Sequence, residues 1–364
     1  MRKIRLEKLN VLNYRNIREA DLILHNKVNA FYGFNAQGKT NLLDAIFSLG
    51  YTKSYLSRSD ADNIKVGESH FHLSTVLFNN EEQNELILAY SDKKKLLKKN
   101  GKDEKRLSKH IGFLPIVMIS PYDSNLITGA SDLRRKFLDA SISFYDSEYL
   151  STLLEYHKVL KQKNKYLKEP NPVKELVESL NSQMSKFILA IESKRQRFFE
   201  SFNPYFKSVY GKLSNENESP ELIYEPSRDL SVDLNDQLSS KLRDELRTGF
   251  SLLGPHRDDF RIMLKGLEAK KYASQGQQKS LLIALKLAKF AVLKEKIDTE
   301  PLLLLDDIFD KLDKQRVHNL MDILHEEGYG QLFVSHTNCS DLKEVFGESA
   351  HYFEVNDGIV NSID

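Results

Sequence analysis

The segment Gly33-Phe34-Asn35-Ala36-Gln37-Gly38-Lys39-Thr40 decides the fold, because it fits the pattern G-x-x-x-x-G-K-[ST]. An apolar run at residues 28–32 predicts a buried strand before it, and the apolar spacing of residues 42–49 predicts a helix after it. In such a unit, glycines let backbone N–H groups surround a phosphate, and the helix N-terminus adds partial positive charge. The segment therefore predicts a phosphate-binding loop, in which Lys39 reaches the β- and γ-phosphates of a nucleotide and Thr40 coordinates Mg²⁺.

An acidic pair after another apolar run predicts the partner of this loop. The runs at residues 302–305 and 331–334 are continuous, which is typical of parallel strands buried on both faces. The first run leads directly into Asp306 and Asp307. We expect Asp306 to hold the Mg²⁺ shell and Asp307 to polarise the water that attacks the terminal phosphate.

A third motif, Ser274-Gln275-Gly276-Gln277-Gln278-Lys279, precedes a helix predicted over residues 281–293. A serine and a glycine at a helix entrance form either an ordinary N-cap or a second anion site. One phosphate-binding loop and two phosphate-competent helix ends in one chain favour a dimer that holds ATP between its subunits. Within the predicted helix, we expect Lys286 and Lys289 to face solvent.

Composition limits the other possibilities. The chain has 364 residues, 40% of them hydrophobic, with 53 Lys and Arg against 52 Asp and Glu, which is typical of a soluble protein of two or three structural units. It contains no apolar run long enough to span a membrane and no secretory signal. The single cysteine, Cys339, excludes an internal disulfide and favours a reducing, cytoplasmic location. Because the net charge is +1, nucleic-acid binding would need a local basic patch.

One basic segment lies in a region that alternates like β-structure. Residues 70–120 predict strands, and Asn100-Gly101 predicts a hairpin with a type I′ turn. Residues 93–109 contain nine Lys or Arg against two acidic residues. This segment is either a solvated exposed hairpin or an edge that contacts phosphates.

Helical spacing dominates residues 148–200, interrupted by Glu169-Pro170-Asn171-Pro172. It predicts two helices in an αα-hairpin, the second about 40 Å long, with Met184 and Phe187 in its core. The polar stretch 211–250 predicts a linker with short elements. We expect an α/β fold divided into residues 1–145 and 220–364, which form the two parts of one head, and residues 146–219, which form a helical arm.

Several further motifs occur in a specific order, and together they carry a family resemblance. They are Asn13-Tyr14-Arg15-Asn16, the phosphate-binding loop running into residues 41–46, Arg134-Arg135-Lys136-Phe137-Leu138-Asp139, Gly254-Pro255-His256-Arg257-Asp258-Asp259, residues 274–279, and residues 304–308 followed by Leu312-Asp313. With these motifs, the chain resembles the ABC-type ATPases of the SMC/Rad50 class, and within that class the bacterial RecF family. The resemblance implies an ABC-type ATPase head with a mixed or parallel sheet and an inserted helical-hairpin lobe.

The resemblance also assigns roles to individual residues. Ser274, Gly276 and Gln277 match the signature motif, which contacts the γ-phosphate bound by the partner subunit. Asp313 matches the D-loop, Asn41 joins the nucleotide contacts, and residues 330–337 match the switch region, with His336 near the γ-phosphate. The catalytic set is then Lys39, Asp307 and His336. Transporter-type relatives have Glu where Asp307 stands, and the shorter side chain predicts slow hydrolysis.

Two motifs remain open in the sequence alone. Arg134-Arg135-Lys136 forms either a solvated helix face or a dimer or DNA contact. Residues 254–259 form either a tight turn in which Arg257 pairs with Asp258 or Asp259, or part of such a surface.

The function implied by the resemblance is ATP-dependent DNA binding in recombinational gap repair, replication and the SOS response. The partners implied are double- and single-stranded DNA at gap junctions, a second copy of the chain, RecR and RecO, and indirectly the RecA recombinase. ATP and Mg²⁺ would serve a weak, DNA-stimulated ATPase that acts as a switch. The alternatives are an SMC-like structural DNA tether and a P-loop metabolic kinase, and ATP-dependent dimerisation would distinguish the kinase from the leading hypothesis.

Overall fold

The computed structural model describes residues 2–214, 218–309 and 312–363, which divide between two compact units. The first unit contains Met1–Asp123, Lys212–Ser214 and Ile283–Asp364, and the second contains Ser124–Gly211 and Asn215–Leu282. These bounds differ from the predicted segments 1–145, 146–219 and 220–364. The structure groups residues 124–145 and 220–282 with the helical hairpin, whereas the sequence motifs suggested that they belong to the head.

The strands and helices are numbered in chain order. The strands are β1 (Arg2–Tyr14), β2 (Ile17–Ile23), β3 (Val28–Tyr32), β4 (His70–Asn79), β5 (Glu82–Ser91), β6 (Lys94–Lys99), β7 (Lys102–Asp103), β8 (Ile116–Ile119), β9 (Pro220–Glu225), β10 (Asp259–Leu264), β11 (Leu267–Glu268), β12 (Thr299–Glu300), β13 (Leu302–Asp306), β14 (Leu332–His336), β15 (Ala350–Asn356) and β16 (Ile359–Ile363). The helices are α1 (Lys39–Tyr51), α2 (Asn125–Thr128), α3 (Ser131–Ser143), α4 (Ser147–Tyr166), α5 (Lys174–Ser214), α6 (Leu234–Thr248), α7 (Ala269–Tyr272), α8 (Gln275–Ile297), α9 (Lys314–Glu327) and α10 (Cys339–Phe346). None of the helices in the described part of the chain is both long and apolar enough to cross a membrane.

A mostly parallel sheet carries the predicted motifs of the first unit. Its strand order is β16-β15-β3-β14-β13-β8, and only β16 runs antiparallel to its neighbour. The register pairs Asp306 with Ser335 and His336 with Tyr32. The acidic pair, the switch strand and the phosphate-binding loop therefore follow neighbouring strands at the same edge, as parallel pairing requires. The α/β class and the predicted parallel strands are confirmed.

Helix α1 contacts this sheet and also the second sheet of the same unit, which is antiparallel except for the pairing of β1 with β12. That sheet has the order β12-β1-β4-β5-β6-β7, and β2 pairs with β1. Because α1 is covered on both sides, even its polar residues Asp44 and Ser48 are buried. At Gly50, an added Cβ atom would lie 2.7 Å from the Ile116 side chain. A small residue is therefore needed where the helix passes β8.

The predicted basic hairpin is present. Asn100 and Gly101 adopt positive φ angles of 51° and 75°, as a type I′ turn between β6 and β7 demands. Lys95 and Lys98 pair with Asp60 and Asp103. The other exposed cations of the segment are Lys93, Lys94, Lys102, Lys105, Arg106 and Lys109. The hairpin is thus an edge of the sheet with several exposed cations, which leaves both alternatives open.

The second unit contains the predicted pair of helices, α4 and α5, but α5 is longer than predicted. It has 41 residues, which corresponds to about 60 Å instead of about 40 Å. Buried side chains continue its helical spacing well past Phe198, at Phe202, Phe206, Tyr210 and Leu213. Tertiary burial therefore maintains the helix through Pro204, which lies inside it.

The stretch predicted as a linker with short elements is also more ordered than expected. It contains β9, which pairs with β10, and the 15-residue helix α6. Asp233 caps this helix by accepting hydrogen bonds from the N–H groups of Asn235 and Asp236, and Gly249 ends it with a φ of 73°. The linker prediction was therefore wrong. The helical spacing of Leu234, Leu238 and Leu242 is the sequence signal that indicates this helix.

The motifs left open in the sequence form a buried ionic network in the second unit. Arg134 binds both carboxylate oxygens of Asp259, at 2.7 and 2.8 Å. Arg195 is 1% exposed and donates to Asp258 at 2.7 Å. Burial lowers the pKa of its guanidinium, but the neighbouring acidic groups outweigh this effect and hold the pKa well above its usual value. Of the two alternatives for residues 254–259, the pairing of Arg257 with Asp258 or Asp259 is not found in the described residues, because Arg257 donates to the Ser251 carbonyl. Arg134 is thus a buried structural residue.

Helix α8 differs from prediction at its two central lysines. Lys286 and Lys289 are only 6% and 9% exposed, because the helix is apolar around most of its circumference. Lys286 pairs with Asp123 at 2.8 Å. Burial and then the charge of Lys286 lower the pKa of Lys289 to about 7, an effect that Asp123 opposes.

We expect Lys289→Met to stabilise the protein most at neutral pH. The pKa of Lys289 is lowered from 10.5 to about 7, so between these values the unfolded chain binds a proton that the folded chain does not. The free energy of unfolding of the wild type should therefore rise with pH by up to about 1.4 kcal/mol per unit. Methionine removes this pH dependence. The gain in stability of the variant over the wild type should therefore shrink as the pH approaches 10.5.

Urea unfolding near pH 7 and near pH 9 measures the effect. The matched control is Lys296→Met, which changes a half-exposed lysine on the same helix and should leave the pH dependence unchanged. If the free energy of unfolding depends on pH in the same way for Lys289→Met and the wild type, the pKa of Lys289 is not lowered in the folded protein.

Candidate functional site

The phosphate-binding loop connects β3 to α1 in a conformation that requires glycine. Gly33 and Gly38 have φ angles of 150° and 120°, which other residues rarely adopt. A Cβ atom on Gly33 would lie 2.1 Å from the Val355 carbonyl oxygen, and one on Gly38 would lie 2.8 Å from the Asn16 side chain. Phe34, Asn35 and Ala36, at the tip of the loop, are exposed. The predicted loop is therefore preformed.

Lys39 is folded back into this loop. Its side-chain amine donates to the carbonyl oxygens of Gly33 and Phe34 at 2.7 and 3.1 Å, and the residue is 3% exposed. These hydrogen bonds hold a cation inside the ring of loop residues. The charge is thus placed to attract an anion that the backbone N–H groups can bind.

Asn16 braces the loop from the neighbouring strand connection. Its Nδ2 donates to the Gln37 carbonyl at 2.9 Å, and its Oδ1 accepts from Asn41 Nδ2 at 2.7 Å. The N–H of Gly358 donates to the same Gln37 carbonyl at 2.9 Å. Asn41, predicted as a nucleotide contact, therefore binds Asn16. The sequence shows Asn16 only as part of the motif at residues 13–16 and gives no sign that it supports the loop.

Asp44 fixes the same motif to α1. Its Oδ2 accepts hydrogen bonds from Tyr14, Arg15 and Ser54 at 2.8, 3.2 and 2.7 Å, and its Oδ1 accepts from the Tyr55 N–H at 2.6 Å. Burial, and then the Asp44 charge, raise the pKa of the Tyr14 hydroxyl well above its usual value. These hydrogen bonds to Asp44 hold residues 13–16 in place beside the phosphate-binding loop.

The Asp306 carboxylate accepts hydrogen bonds from hydroxyl groups in three different parts of the fold. Thr40 and Ser335 donate to its Oδ1 at 2.7 and 2.8 Å, and Ser120 donates to its Oδ2 at 2.9 Å. The residue is 2% exposed. Hydroxyl and carboxylate oxygens are the ligands that Mg²⁺ prefers, so Thr40 and Asp306 fit the predicted ion.

Asp307 follows with a positive φ of 44°, a strained conformation for a residue with a side chain. Its backbone N–H donates to the Ser335 hydroxyl at 3.0 Å. The strand β13 therefore ends abruptly, and the next carboxylate leaves the strand direction. Such strain is common at functional sites.

The switch strand places His336 in a buried position, 2% exposed. Its Nε2 donates to Asp341 Oδ2 at 2.9 Å, and this bond lowers the pKa of Asp341. Phe309 meets the imidazole edge-to-face, with ring centroids 6.2 Å apart. Asp313, predicted as the D-loop residue, caps α9 by accepting from the Arg316 N–H at 2.9 Å.

In the second unit, Ser274 and Gln277 form a reciprocal cap at the start of α8. Ser274 Oγ accepts from the Gln277 N–H at 3.2 Å, and Gln277 Oε1 accepts from the Ser274 N–H at 2.8 Å. The ordinary N-cap is therefore present. The exposed Ser274 hydroxyl keeps its own proton for a further acceptor, so the cap does not exclude an anion site.

Glu218 anchors this turn, and the sequence had not indicated it. Its Oε1 accepts from Gln277 Nε2 at 2.6 Å, and its Oε2 accepts from the Tyr210 hydroxyl at 2.6 Å. Lys265 balances its charge at 3.0 Å. Because both ends of the Gln277 amide are engaged, this side chain holds the turn in place.

Comparison with known sequences identifies close relatives over the full chain. The profile of the family described as RecF/RecN/SMC N terminal domain matches residues 5–359. The chain is 40% identical over 368 residues to the DNA replication and repair protein RecF of Bacteroides thetaiotaomicron, with 98% of each chain covered. It is 40% identical over 351 residues to the protein of the same name from Flavobacterium johnsoniae, with 95% of this chain and 97% of that one covered.

Solved structures give the same result. The recombination mediator protein RecF-ATPrS in the RecFOR pathway has a TM-score of 0.89 and 30% identity, and the match covers 100% of this chain and 99% of that chain. The Smc head domain with an extended coiled coil from Pyrococcus furiosus has a TM-score of 0.59 and 18% identity, with 99% and 96% covered. The second match extends the likeness to the fold of SMC heads.

We expect Asn16→Ala to loosen the phosphate-binding loop without unfolding the protein. The substitution removes the hydrogen bonds to Gln37 and Asn41, each worth about 1 kcal/mol. Amide hydrogen exchange in residues 33–41 should therefore accelerate by roughly 10-fold to 30-fold. The control, Asn361→Ala, changes an exposed asparagine and should leave exchange in the loop unchanged. Equal exchange in both variants would show that Asn16 does not brace the loop.

Proposed function

Because the chain belongs to the RecF family within the RecF/RecN/SMC group, we propose that it is an ATP-gated DNA-binding protein of DNA replication and recombinational repair. ATP joins two copies of the chain, the joined form binds DNA at gap junctions, and slow hydrolysis releases it. RecR and RecO are the proposed partners in loading RecA. One observation carries the proposal: Thr40 and Asp306 share a hydrogen bond beside a preformed phosphate-binding loop.

We assign each side chain of the site a part in binding ATP. The loop N–H groups and the helix α1 N-terminus hold the phosphates, while Lys39 exchanges its carbonyl partners for phosphate oxygens. Thr40 and Asp306 would hold Mg²⁺, and this ion would neutralise phosphate charge. The oxygen donors for this ion come from β13 and α1.

We assign hydrolysis to one residue directly after β13 and to the last residue of β14. Asp307 orients the attacking water and accepts its proton. His336, whose orientation is fixed by Asp341, lies at the end of the neighbouring strand and would stand close to the terminal phosphate. Because aspartate is one methylene shorter than glutamate, we propose slow turnover, which suits a timed switch.

The dimer is proposed because the chain also contains a second anion-competent turn. Ser274 and Gly276 present a hydroxyl and a small residue at the N-terminus of a 23-residue helix. In the proposed dimer, this turn completes the nucleotide site of the other subunit, and Asp313 approaches the same interface. ATP thus contacts both subunits and stabilises their association through linkage.

The basic hairpin is the proposed DNA edge. Its exposed cations have the form needed for phosphate contacts, and the chain as a whole, with a net charge of +1, offers no general attraction for DNA. Two such hairpins in a closed dimer would align into one surface. DNA affinity should therefore depend on ATP.

Sedimentation with ATP, with and without gapped duplex DNA, tests the gating. The wild type should dimerise with ATP, and Lys39→Ala should remain monomeric because it lacks the phosphate-binding cation. Asp307→Asn should dimerise normally while its turnover falls by about 10²–10⁴-fold. Lys53→Ala, which changes an exposed lysine after α1, is the control. Undiminished turnover in Asp307→Asn would exclude Asp307 as the residue that orients the attacking water. A wild type that stays monomeric with ATP would contradict the proposed ATP-dependent dimer.

The salt dependence of DNA binding tests the hairpin. Replacing both Lys93 and Lys94 by Gln should reduce the slope of log affinity against log salt by about 1.8, if both lysines contact duplex phosphates. The loss should be equal for different sequences, since phosphate contacts do not read bases. The matched control replaces Lys186 and Lys241, two exposed lysines of the second unit. Unchanged slopes in the hairpin variant would exclude these residues as DNA contacts.

A further inference from the structure

The hairpin of β15 and β16 contacts the phosphate-binding loop near both ends of the loop. A Cβ atom on Gly33 would lie 2.1 Å from the Val355 carbonyl oxygen, so the first residue of the loop lies directly against β15. At the other end, the Asp357 N–H donates to Gln37 Oε1 at 2.5 Å, and the Gly358 N–H donates to the Gln37 carbonyl oxygen at 2.9 Å. The loop is therefore held by a segment that lies 320 residues further along the chain.

The turn between β15 and β16 has a geometry that brings it close to the loop. Asn356 pairs with Ile359 across a two-residue turn. The turn residues, Asp357 and Gly358, have φ angles of 48° and 75°, as a type I′ turn requires. Gly358 is buried, and a Cβ atom on it would lie 2.4 Å from the Asn16 carbonyl oxygen. Both the φ angle and this close approach therefore call for glycine at position 358.

The hydrogen bonds to Gln37 fix the orientation of one peptide group in the loop. The Gln37 carbonyl oxygen accepts from the Gly358 N–H and from Asn16 Nδ2, each at 2.9 Å, and these two bonds occupy both of its lone pairs. The peptide between Gln37 and Gly38 is trans, so its N–H points in the direction opposite to its carbonyl. The Gly38 N–H therefore points away from both donors.

Without these bonds, the same peptide group could adopt the reverse orientation. A flip would change the φ of Gly38 from 120° to roughly −60°, an ordinary helical value. Gly38 accommodates both values, because glycine lacks the Cβ atom that excludes positive φ. The local sequence thus leaves the orientation open, and the bonds that Gln37 accepts from Asn16 and the turn select one.

We propose that Gln37 is a positioning residue, anchored by the Asp357-Gly358 turn, that keeps the Gly38 N–H directed toward the phosphates of the bound nucleotide. Backbone N–H groups are what bind the anion in such a loop. In the reverse orientation, a carbonyl oxygen would face the phosphates and repel them. This inference rests on the proposed function, since it describes how the ATP-binding loop keeps the shape that binding requires.

Two glycine substitutions isolate the contact between the turn and the loop. In Gly358→Ala, the added methyl group would meet the Asn16 carbonyl, so the turn must move away from Gln37. The matched control is Gly266→Ala. Gly266 lies in the two-residue turn between β10 and β11 and has the same φ of 75°, but a Cβ atom there meets nothing within 4 Å. Both substitutions introduce the same backbone strain, and only Gly358→Ala displaces a turn from the loop.

The affinity for MgADP, measured by isothermal titration calorimetry, reports on the loop of one subunit. ADP carries the phosphates that the loop N–H groups surround, and neither dimerisation nor ATP turnover enters the measurement. Gly358→Ala should bind MgADP about 10-fold more weakly than the wild type, whereas Gly266→Ala should stay within about 2-fold of it. Without nucleotide, amide hydrogen exchange in residues 33–41 should be faster in Gly358→Ala and unchanged in the control.

Gln37→Met breaks the contact from the side of the loop and leaves the backbone of the hairpin unchanged. Methionine has a similar size but lacks the acceptor for the Asp357 N–H, so MgADP affinity should fall by about 3-fold. Because both substitutions act on one contact, the double variant Gln37→Met/Gly358→Ala should bind MgADP no more weakly than Gly358→Ala. With ATP, KM should rise in each variant while kcat stays nearly unchanged, since the lost interaction is made equally before and during the chemical step.

The outcomes distinguish the inference from the proposed function. Equal MgADP affinities for Gly358→Ala and Gly266→Ala would overturn the inference, and so would additive losses in the double variant. If circular dichroism shows that Gly358→Ala does not fold, Gln37→Met decides, and an unchanged affinity in that variant would overturn the inference. A wild type that shows the expected pattern of MgADP affinities but never dimerises with ATP would sustain the inference and contradict the proposed gating. A wild type that binds no nucleotide would contradict both.

Discussion

The Asp306 carboxylate is the interaction on which the rest of the first unit depends. It is buried and accepts hydrogen bonds from three hydroxyl groups, which belong to α1, to β14 and to the residue after β8. A buried carboxylate is costly unless its oxygens are satisfied, so these three elements must meet at one edge of the sheet. That requirement fixes the order in which the phosphate-binding loop, the acidic pair and the switch strand stand beside each other. The site is therefore a consequence of parallel strand pairing, with the polar residues placed where the strands end.

Local signals in the sequence predicted the parts of this arrangement that depend on neighbours along the chain. The glycines of the loop, the continuous apolar strands and the Asn100-Gly101 turn each impose a backbone conformation, and each occurs as predicted. The reciprocal cap of Ser274 and Gln277 belongs to the same class, since its spacing of three residues is visible in the sequence. Where a residue and its partner lie within one turn of chain, the sequence is sufficient.

The failures concern partners far apart along the chain. Lys286 and Asp123 are separated by 163 residues, so periodicity alone treated the lysine as a solvated position. The same limit applies to Arg134 and Asp259, which lie 125 residues apart. The sequence left a solvated face or a contact surface open for Arg134, and its side chain instead binds this distant acid. Distance along the chain also explains why the sequence did not indicate the bond between Gln277 and Glu218, 59 residues apart. Propensity also gave too short a length for α5, because burial of its second half outweighs the effect of Pro204.

The buried charges in helix α8 bear on why this helix is not simply apolar. An apolar residue of similar volume at position 286 or 289 would avoid the desolvation of an ammonium group, and replacing buried ion pairs by apolar residues is often neutral or stabilising. Lys289 shows this cost directly, since burial lowers its pKa to about 7. Stability alone therefore gives no reason for two lysines in this position. A directional bond to Asp123 does give one, because it fixes the register of α8 against the Ser120 segment, which an apolar contact leaves free to slide.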